Sequence, residues 1–166
     1  MVAVTGQRRV IGSPPRPGGA PAVVVHTPGM ARAALALAGP RGVLLLSMPG
    51  AAGSLGAAWF LALAEQARDG LPAPPPHWPV LDCGDAPGFA LAALRAGLRL
   101  LVLDPAVPAF PAVAAAAAEV GAAVWRERPP ALDLGRLDLR DLAGRGHHRL
   151  AEWLAGGAVT APPRLG

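Results

Sequence analysis

The amino-acid sequence predicts an α/β fold built on about five parallel strands joined by crossover helices. Short, continuously apolar runs alternate with Ala/Leu-rich segments of helical length, and Gly- or Pro-marked loops separate them. Apolar runs without alternation are typical of strands that are buried on both faces, as in a parallel sheet. The stretch from Val80 to Asp104, VLDCGDAPGFALAALRAGLRLLVLD, shows the unit most clearly, since two apolar runs ending in an acid flank a loop and a helix.

The same pattern assigns elements along most of the chain. The predicted strands are 22–26, 43–48, 80–83, 100–103 and 122–126, and the predicted helices are 30–38, 57–68, 88–96, 112–120 and 147–154. Gly97 and Gly121 are predicted to end two of these helices. The Pro-rich stretch LPAPPPHWP from Leu71 is predicted to be an extended connector rather than a helix or central strand, because Pro lacks a backbone donor. Residues 131–142 depart from the pattern and alternate apolar with charged residues.

Two strand orders fit this pattern. A flavodoxin-like order, 2-1-3-4-5, gives a self-contained three-layer domain, whereas the sequential order 1-2-3-4-5 gives half of a TIM-type (β/α) barrel. A length of 166 residues suits one domain, which we place at residues 21–156. The Gly/Pro/Arg-rich residues 1–20 are predicted to be a flexible tail, and residues 157–166 a frayed one.

Composition limits the classes of partner. The net charge is +4 and all fifteen basic residues are arginine, while Ala, Gly and Pro are abundant. This composition is typical of a GC-rich bacterial genome, and the arginines are scattered rather than clustered, so we expect no nucleic-acid partner.

The cysteine content and the apolar segments of the sequence indicate the cellular compartment of the protein. Cys83 is the single cysteine, which excludes an internal disulfide, and residues 1–22 carry no apolar run of signal-peptide type. We therefore expect a cytoplasmic protein. Residues 42–64 are uncharged and long enough to span a bilayer, but Pro49 and several glycines interrupt them. A strand, a loop and a helix explain this segment better, so no membrane association is predicted.

Polar residues stand at or just beyond the carboxyl ends of all five predicted strands. They are His26 and Thr27, Ser47, Asp82 and Cys83, Asp104, and Arg126 and Glu127. Ligands of parallel α/β sheets gather beyond the carboxyl ends of the strands, so these residues predict a binding site there. The alternative is that strand ends are polar because they emerge into solvent.

The loop SMPGAAGSLG after the second strand is the candidate for anion binding. Backbone N–H groups near Gly50, Gly53 and Ser54 are free to approach a phosphate, with Ser47 at the strand end. The spacing differs from the dinucleotide-binding fingerprint, and a flexible turn is the alternative. The predicted ligand-binding residues are Ser47, Gly50, Gly53, Ser54, His26, Asp104 and Arg126.

Asp82 is the candidate catalytic base. A carboxylate beside Cys83 and His26 is chemically sufficient for a divalent metal, although a buried and unreactive cysteine is the commoner arrangement. No cofactor is predicted, and a divalent metal is kept as the alternative.

The chain resembles the first half of the class II fructose-bisphosphate aldolase barrel family over residues 23–124. MARAAL from Met30 resembles the first helix of that family, and VLLLSMPGAAGSLG resembles its second strand and Ser/Gly-rich loop. The segment PVLDCGDAPGFALAALRAGLRLLVLD resembles its third and fourth strands, where the family carries His-x-Asp-His-Gly. The resemblance implies that Asp82 stands at the proton-transferring aspartate and Cys83 at a zinc-binding histidine. Val80 replaces the first histidine of the motif, so the zinc aldolase reaction is expected to be lost, and what remains is a half-barrel or a doubly wound sheet built from the same units.

Three functions are consistent with the sequence. The first is a non-catalytic domain that binds a small anionic, phosphate-bearing ligand or a protein partner at the carboxyl edge. The second is an aldolase-like lyase acting on a phosphorylated sugar, with the barrel completed by homodimerisation. The third is a structural or interaction module that docks through Trp59, Trp125 or Trp153.

Overall fold

A computed structural model describes residue 15, residues 19–140 and residues 144–156. Most of the two predicted tails, and residues 141–142 of the alternating stretch, lie outside the described residues. The strands are β1 Ala22–Val24, β2 Val43–Leu46, β3 His77–Asp82, β4 Leu100–Val102, β5 Ala123–Trp125 and β6 Ala131–Asp133. The helices are α1 Pro28–Leu37, α2 Ala51–Ser54, α3 Ala57–Arg68, α4 Pro87–Ala96, α5 Phe110–Glu119 and α6 Arg145–Leu154, with a 3-10 turn at Leu134–Arg136.

The predicted parallel sheet with crossover helices is confirmed. All six strands pair in parallel in the order β5-β4-β3-β2-β1-β6. The first five strands are therefore sequential, as in the half-barrel alternative, and the order 2-1-3-4-5 is not observed. The sixth strand was not predicted, and it covers the outer edge of β1. A three-residue strand with only Leu132 fully buried leaves little apolar signal in the sequence.

The Pro-rich connector is shorter than predicted, because β3 begins at His77 and includes Pro79. The expectation that HWP stands outside a central strand is therefore wrong. The backbone N–H of Cys83 donates to Val102 O, so the backbone groups of the odd-numbered residues of β3 point toward β4. The nitrogen of Pro79, which has no hydrogen to donate, therefore also points toward the β4 side. Pairing with β4 starts only at Val80, so no hydrogen bond is lost at Pro79.

Helix ends follow the local chemistry of the sequence. Thr27 caps α1, since its hydroxyl accepts the N–H of Met30 at 3.3 Å. Gly97 ends α4 in the left-handed region at φ 103°, as predicted, because a residue without Cβ adopts this conformation without steric cost.

The two faces of the sheet differ in what covers them. The buried residues of the described helices belong to one apolar cluster, together with strand residues such as Val23, Leu45 and Leu81. A second cluster, on the opposite face, contains no residue of a described helix and consists of strand and near-strand side chains such as Val24, Leu46 and Val80. We call this second surface the helix-free face.

The sheet is curved. The five residues 126–130 join its two edge strands, β5 and β6. Five gaps between neighbouring strands span about 24 Å in a flat sheet, whereas the six Cα steps from Trp125 to Ala131 reach at most about 21 Å when fully extended. Trp125 and Ala131 both belong to the cluster of the helix-free face, so the edges approach each other on that side. Side chains that fill the inside of a curved parallel sheet are the arrangement of a barrel interior.

The uncharged segment at residues 42–64 forms β2 and the first part of α3, as the sequence predicted, with the short helix α2 inside the predicted loop. Among the described residues, no helix has the length and apolar character needed to cross a membrane.

Candidate functional site

Three polar side chains extend the helix-free face at the carboxyl edge of the sheet. Asp82 ends β3, Asp133 ends β6 and His26 follows β1, each two residues beyond an apolar residue of the helix-free face. Since side chains alternate along a strand, positions two apart share a face. The registers place His26 level with Asp82, two strands away and thus about 10 Å apart between backbones.

Asp82 is the most highly connected polar side chain of this edge. Its Oδ1 accepts the N–H groups of Gly50 at 2.9 Å and Gly84 at 2.8 Å. Its Oδ2 accepts from Nη1 of Arg128, and the side chain of Asp82 is only 5% exposed. Both carboxylate oxygens therefore accept hydrogen bonds from within the chain.

The glycine-rich loop already holds an anion, which is the carboxylate of Asp82. Gly50 stands in the left-handed region at φ 64°, and its N–H points to Asp82. The hydroxyl of Ser47 accepts the N–H of Asp82 at 2.9 Å and donates to Met48 O at 3.0 Å, so it too is satisfied within the chain. Gly53 and Ser54 lie in the four-residue helix α2, where the Ser54 hydroxyl donates to Ala51 O.

Arg128 fastens the linker between β5 and β6 across the carboxyl edge. Its Nη1 donates to Asp82 and its Nη2 donates to Ser47 O at 2.8 Å. A guanidinium has five N–H donors in a planar fork, so one side chain ties the linker to the ends of both β2 and β3. The side chain is 26% exposed.

His26 and Asp133 form a hydrogen-bonded pair at the same edge. Nε2 of His26 lies 2.7 Å from Oδ1 of Asp133, which also accepts the N–H of Gly135 at 2.9 Å. Burial acts to raise the pKa of Asp133, but the hydrogen bonds from His26 and Gly135 and the charge of Arg136 outweigh it and lower the pKa below its ordinary 3.8. A Cβ at Gly135 would lie 2.8 Å from Nε2 of His26, so a larger residue there would require the imidazole ring to shift.

An open cavity of about 620 Å³ lies beside this pair, at the carboxyl ends of β1 and β6. It is bounded by the first turns of α1, including Thr27, and by the segment from Gly135 to Arg140. We call this cavity the β1–β6 crevice. Ligands of parallel α/β sheets bind beyond the carboxyl ends of the strands, and this crevice lies there.

Two of the predicted site residues stand apart from these pairs. Asp104 is exposed, and its carboxylate accepts the N–H of Ala106 at 2.8 Å as a turn starter. Arg126 is exposed, and its guanidinium carbon lies 4.9 Å from the centre of the Phe110 ring.

Cys83 points to the helix-covered side and is 2% exposed. Burial, with the neighbouring charge of Asp82, raises the pKa of its thiol to about 12, so the thiol is protonated at neutral pH. Among the described residues, no group of three or more His, Cys, Asp or Glu side chains is placed to hold a metal ion.

Arg128 and Asp133 were not among the predicted site residues. The contact between Arg128 and Asp82 joins positions 46 apart, and the contact between His26 and Asp133 joins positions 107 apart. A signal for Asp133 does exist, because ALDLG at 131–135 repeats the pattern of an apolar run, an acid and a near-following Gly that marks VLDCG at 80–84. No comparable pattern marks Arg128.

Comparison with known proteins gives no assignment: no family model matches the chain, and no curated protein matches it.

Proposed function

We propose that this chain binds a small anionic ligand in the β1–β6 crevice at the carboxyl edge of the sheet. The observation that supports the proposal is an open cavity of about 620 Å³ that lies beyond the carboxyl ends of β1 and β6. This site lies at the sheet edge that the sequence predicted, but on different residues of that edge.

The charges of the crevice favour an anion at its outer side. Arg136 and Arg140 both line it, and the positive end of the ten-residue helix α1 opens into it. The acidic residue of the lining is Asp138. Nε of Arg136 lies 3.5 Å from Oδ2 of Asp133, which lies outside the lining. A phosphate or carboxylate bound there gains two guanidinium partners.

The glycine-rich loop is the weaker position for the ligand. An external anion at Gly50 has to compete with the carboxylate of Asp82, which is already in place and paired with Arg128. In this proposal Ser47 and Gly50 hold Asp82 in place by hydrogen bonds, and the ligand binds in the β1–β6 crevice.

Calorimetric titration with inorganic phosphate and with a hexose phosphate tests the proposal. We expect saturable binding that weakens about tenfold or more in the double variant Arg136→Gln/Arg140→Gln, because two charge-assisted hydrogen bonds are lost. Arg149→Gln, on the exposed side of α6, is the matched control and is expected to bind as the parent does. Equal binding by the double variant and the parent, or no saturable binding to the parent, contradicts the proposal.

A second candidate, an enzyme using acid–base chemistry, is favoured by the His26–Asp133 pair. When Nε2–H of a neutral His26 donates to the carboxylate, Nδ1 is left as a proton acceptor, and Asp133 orients the ring. In this version of the lyase hypothesis His26 is the base, while the aldolase resemblance assigns that role to Asp82. Turnover of phosphorylated sugars, lost in His26→Asn, supports the enzyme; binding without turnover leaves the first proposal standing.

The two remaining hypotheses have direct tests. A lyase completed by homodimerisation requires a dimer in sedimentation experiments, and a monomer contradicts it. For docking through tryptophans, Trp59 is the exposed candidate at 40%, since Trp125 is buried and the indole of Trp153 donates to Ala22 O at 2.7 Å. Only Trp59 is therefore available for such a test.

A further inference from the structure

A second cavity with charged lining lies away from the carboxyl edge, at the opposite end of the sheet. It has a volume of about 510 Å³ and opens between the end of α3, the Pro-rich connector and the first residues of β3 and β4. Its charged and aromatic lining consists of Glu65, Arg68, His77, Trp78 and Arg99. We call it the amino-end cavity, and neither the proposed function nor the predicted site uses it.

The walls of this cavity are fixed in place by the backbone. Pro76 O accepts the N–H of Val43 at 3.0 Å, and Leu71 N donates to Arg68 O at 3.0 Å, so the connector is fastened at both ends. Gly42 allows this approach, because a Cβ there would lie 2.2 Å from Pro76 O. A preformed wall lowers the ordering cost of binding, which favours a ligand site over a transient gap.

The charged residues of the lining favour a ligand with one negative charge. Two guanidinium groups and one carboxylate, from Arg68, Arg99 and Glu65, give the cavity one net positive charge. Among the described residues, neither guanidinium lies within 4 Å of a carboxylate. One net charge matches a monoanion better than a phosphate dianion.

His77 contributes a neutral, oriented ring. Its Nδ1 lies 2.8 Å from Pro75 O and must donate to it, because a carbonyl oxygen only accepts. Burial lowers the pKa of His77, and the charge of Arg68 lowers it further, although the bond to Pro75 acts in the opposite direction. The ring is therefore uncharged at neutral pH and reports on any anion that enters beside Arg68.

The rest of the lining is apolar. Leu61, Leu98 and Leu100 line the cavity together with prolines of the connector. Such a lining suits a hydrocarbon body, which gains free energy from the burial of its apolar area.

We propose that the amino-end cavity binds a small monocarboxylate with an apolar body, with Arg68 and Arg99 holding the carboxylate and the leucines and prolines of the lining contacting the apolar body. This site is separate from the β1–β6 crevice, since the two cavities share no lining residue and open at opposite ends of the strands.

The test compares three probes on the full chain by calorimetry: indole-3-acetate, its neutral amide, and inorganic phosphate. We expect saturable binding of the carboxylate, with the amide and phosphate at least about tenfold weaker. Arg68→Gln and Arg99→Gln are each expected to weaken carboxylate binding about fivefold to tenfold, whereas Arg149→Gln on α6 leaves it unchanged. Equal binding of acid and amide, tighter binding of phosphate, or no saturable binding of the acid overturns the proposal.

Two further measurements guard against misfolded variants and against binding elsewhere. Glu65→Gln removes the single acid of the lining and is expected to tighten carboxylate binding, so the proposal stays open to refutation even if an arginine variant unfolds. The imidazole NMR signals of His77 are expected to shift on titration while those of the exposed His148 do not. Binding that is lost in Arg136→Gln/Arg140→Gln but kept in Arg68→Gln assigns the carboxylate to the crevice and contradicts the amino-end site.

Discussion

Asp82 is predicted to be the residue on which the carboxyl edge depends most, and Asp82→Asn isolates its ion pair. Asparagine has the same shape, so its amide oxygen still accepts the N–H groups of Gly50 and Gly84. Its NH₂ group, however, faces Nη1 of Arg128, and two donors are brought together where a donor met an acceptor. The variant therefore removes the charge interaction and leaves the loop contacts in place.

The expected loss follows from burial. Breaking a buried ion pair by removing one partner costs about 3–5 kcal/mol. The side chain of Asp82 is 5% exposed and that of Arg128 is 26% exposed, so water reaches part of the guanidinium after the change. We therefore expect the free energy of unfolding to fall by about 3 kcal/mol, at the lower end of that range. For a chain of this length, this corresponds to a melting temperature about 6–12 °C lower.

Urea unfolding followed by circular dichroism measures this difference, with Asp104→Asn as the matched control. Asp104 is exposed and makes a single turn hydrogen bond, so its variant is expected to lose less than about 1 kcal/mol. A loss below about 1 kcal/mol for Asp82→Asn, or equal losses for the two variants, would refute the assignment of Asp82 as the anchor of the edge.

Three further predictions concern reactivity, acid stability and packing. The thiol of Cys83, with its pKa raised to about 12, is expected to resist iodoacetamide at pH 8 in the native protein and to react once urea unfolds it; rapid labelling of native protein contradicts this. Since the pKa of Asp133 is lowered on folding, its contribution to stability is present above the ordinary value of 3.8 and is lost as pH falls through the native pKa. Asp133→Asn should accordingly flatten the melting-temperature profile below about pH 4, and an unchanged slope there argues against the pair with His26. Gly42→Ala is expected to lower the free energy of unfolding by about 3 kcal/mol or more, because φ is 71° and the new Cβ would clash with Pro76 O. Gly39→Ala, with open space around it, is the control and should change the stability little. Similar melting temperatures for the two variants count against the close packing of the connector.

The strands that the sequence predicts correctly are those with a continuous apolar run. β2 and β4 lie inside the sheet, so both of their faces are buried and every position is apolar. β6 borders β1 alone, and its first and last residues are half-buried, so three residues of mixed polarity carried no recognisable pattern. Pro79 was excluded from a central strand for a sound reason, which fails only because the strands are staggered and β4 begins later than β2.

The sequence predicted that polar side chains meet at one edge of the sheet, but it did not predict their contacts. Polar residues at strand ends do meet at one edge, because parallel strands bring their carboxyl ends together. Which side chains pair depends on where the linker between β5 and β6 runs. Nothing in the sequence near Ser47 or Asp82 indicates that Arg128 of this linker bonds to both of them. The loop glycines were predicted to bind an external anion, and the structure shows Gly50 binding a carboxylate of the same chain, which local sequence does not distinguish.

The pairing of β1 with β6 has a consequence for synthesis on the ribosome. β6 is made long after β1, and the hydrogen bond that joins their ends, between His26 and Asp133, spans 107 positions. Until β6 emerges from the exit tunnel, the backbone groups along one side of β1 have no β6 to bond, and nascent chains are at risk of joining one another there. Closure of the sheet therefore comes well after the synthesis of β1, and the five-residue linker at 126–130 sets how soon it follows once β5 has formed.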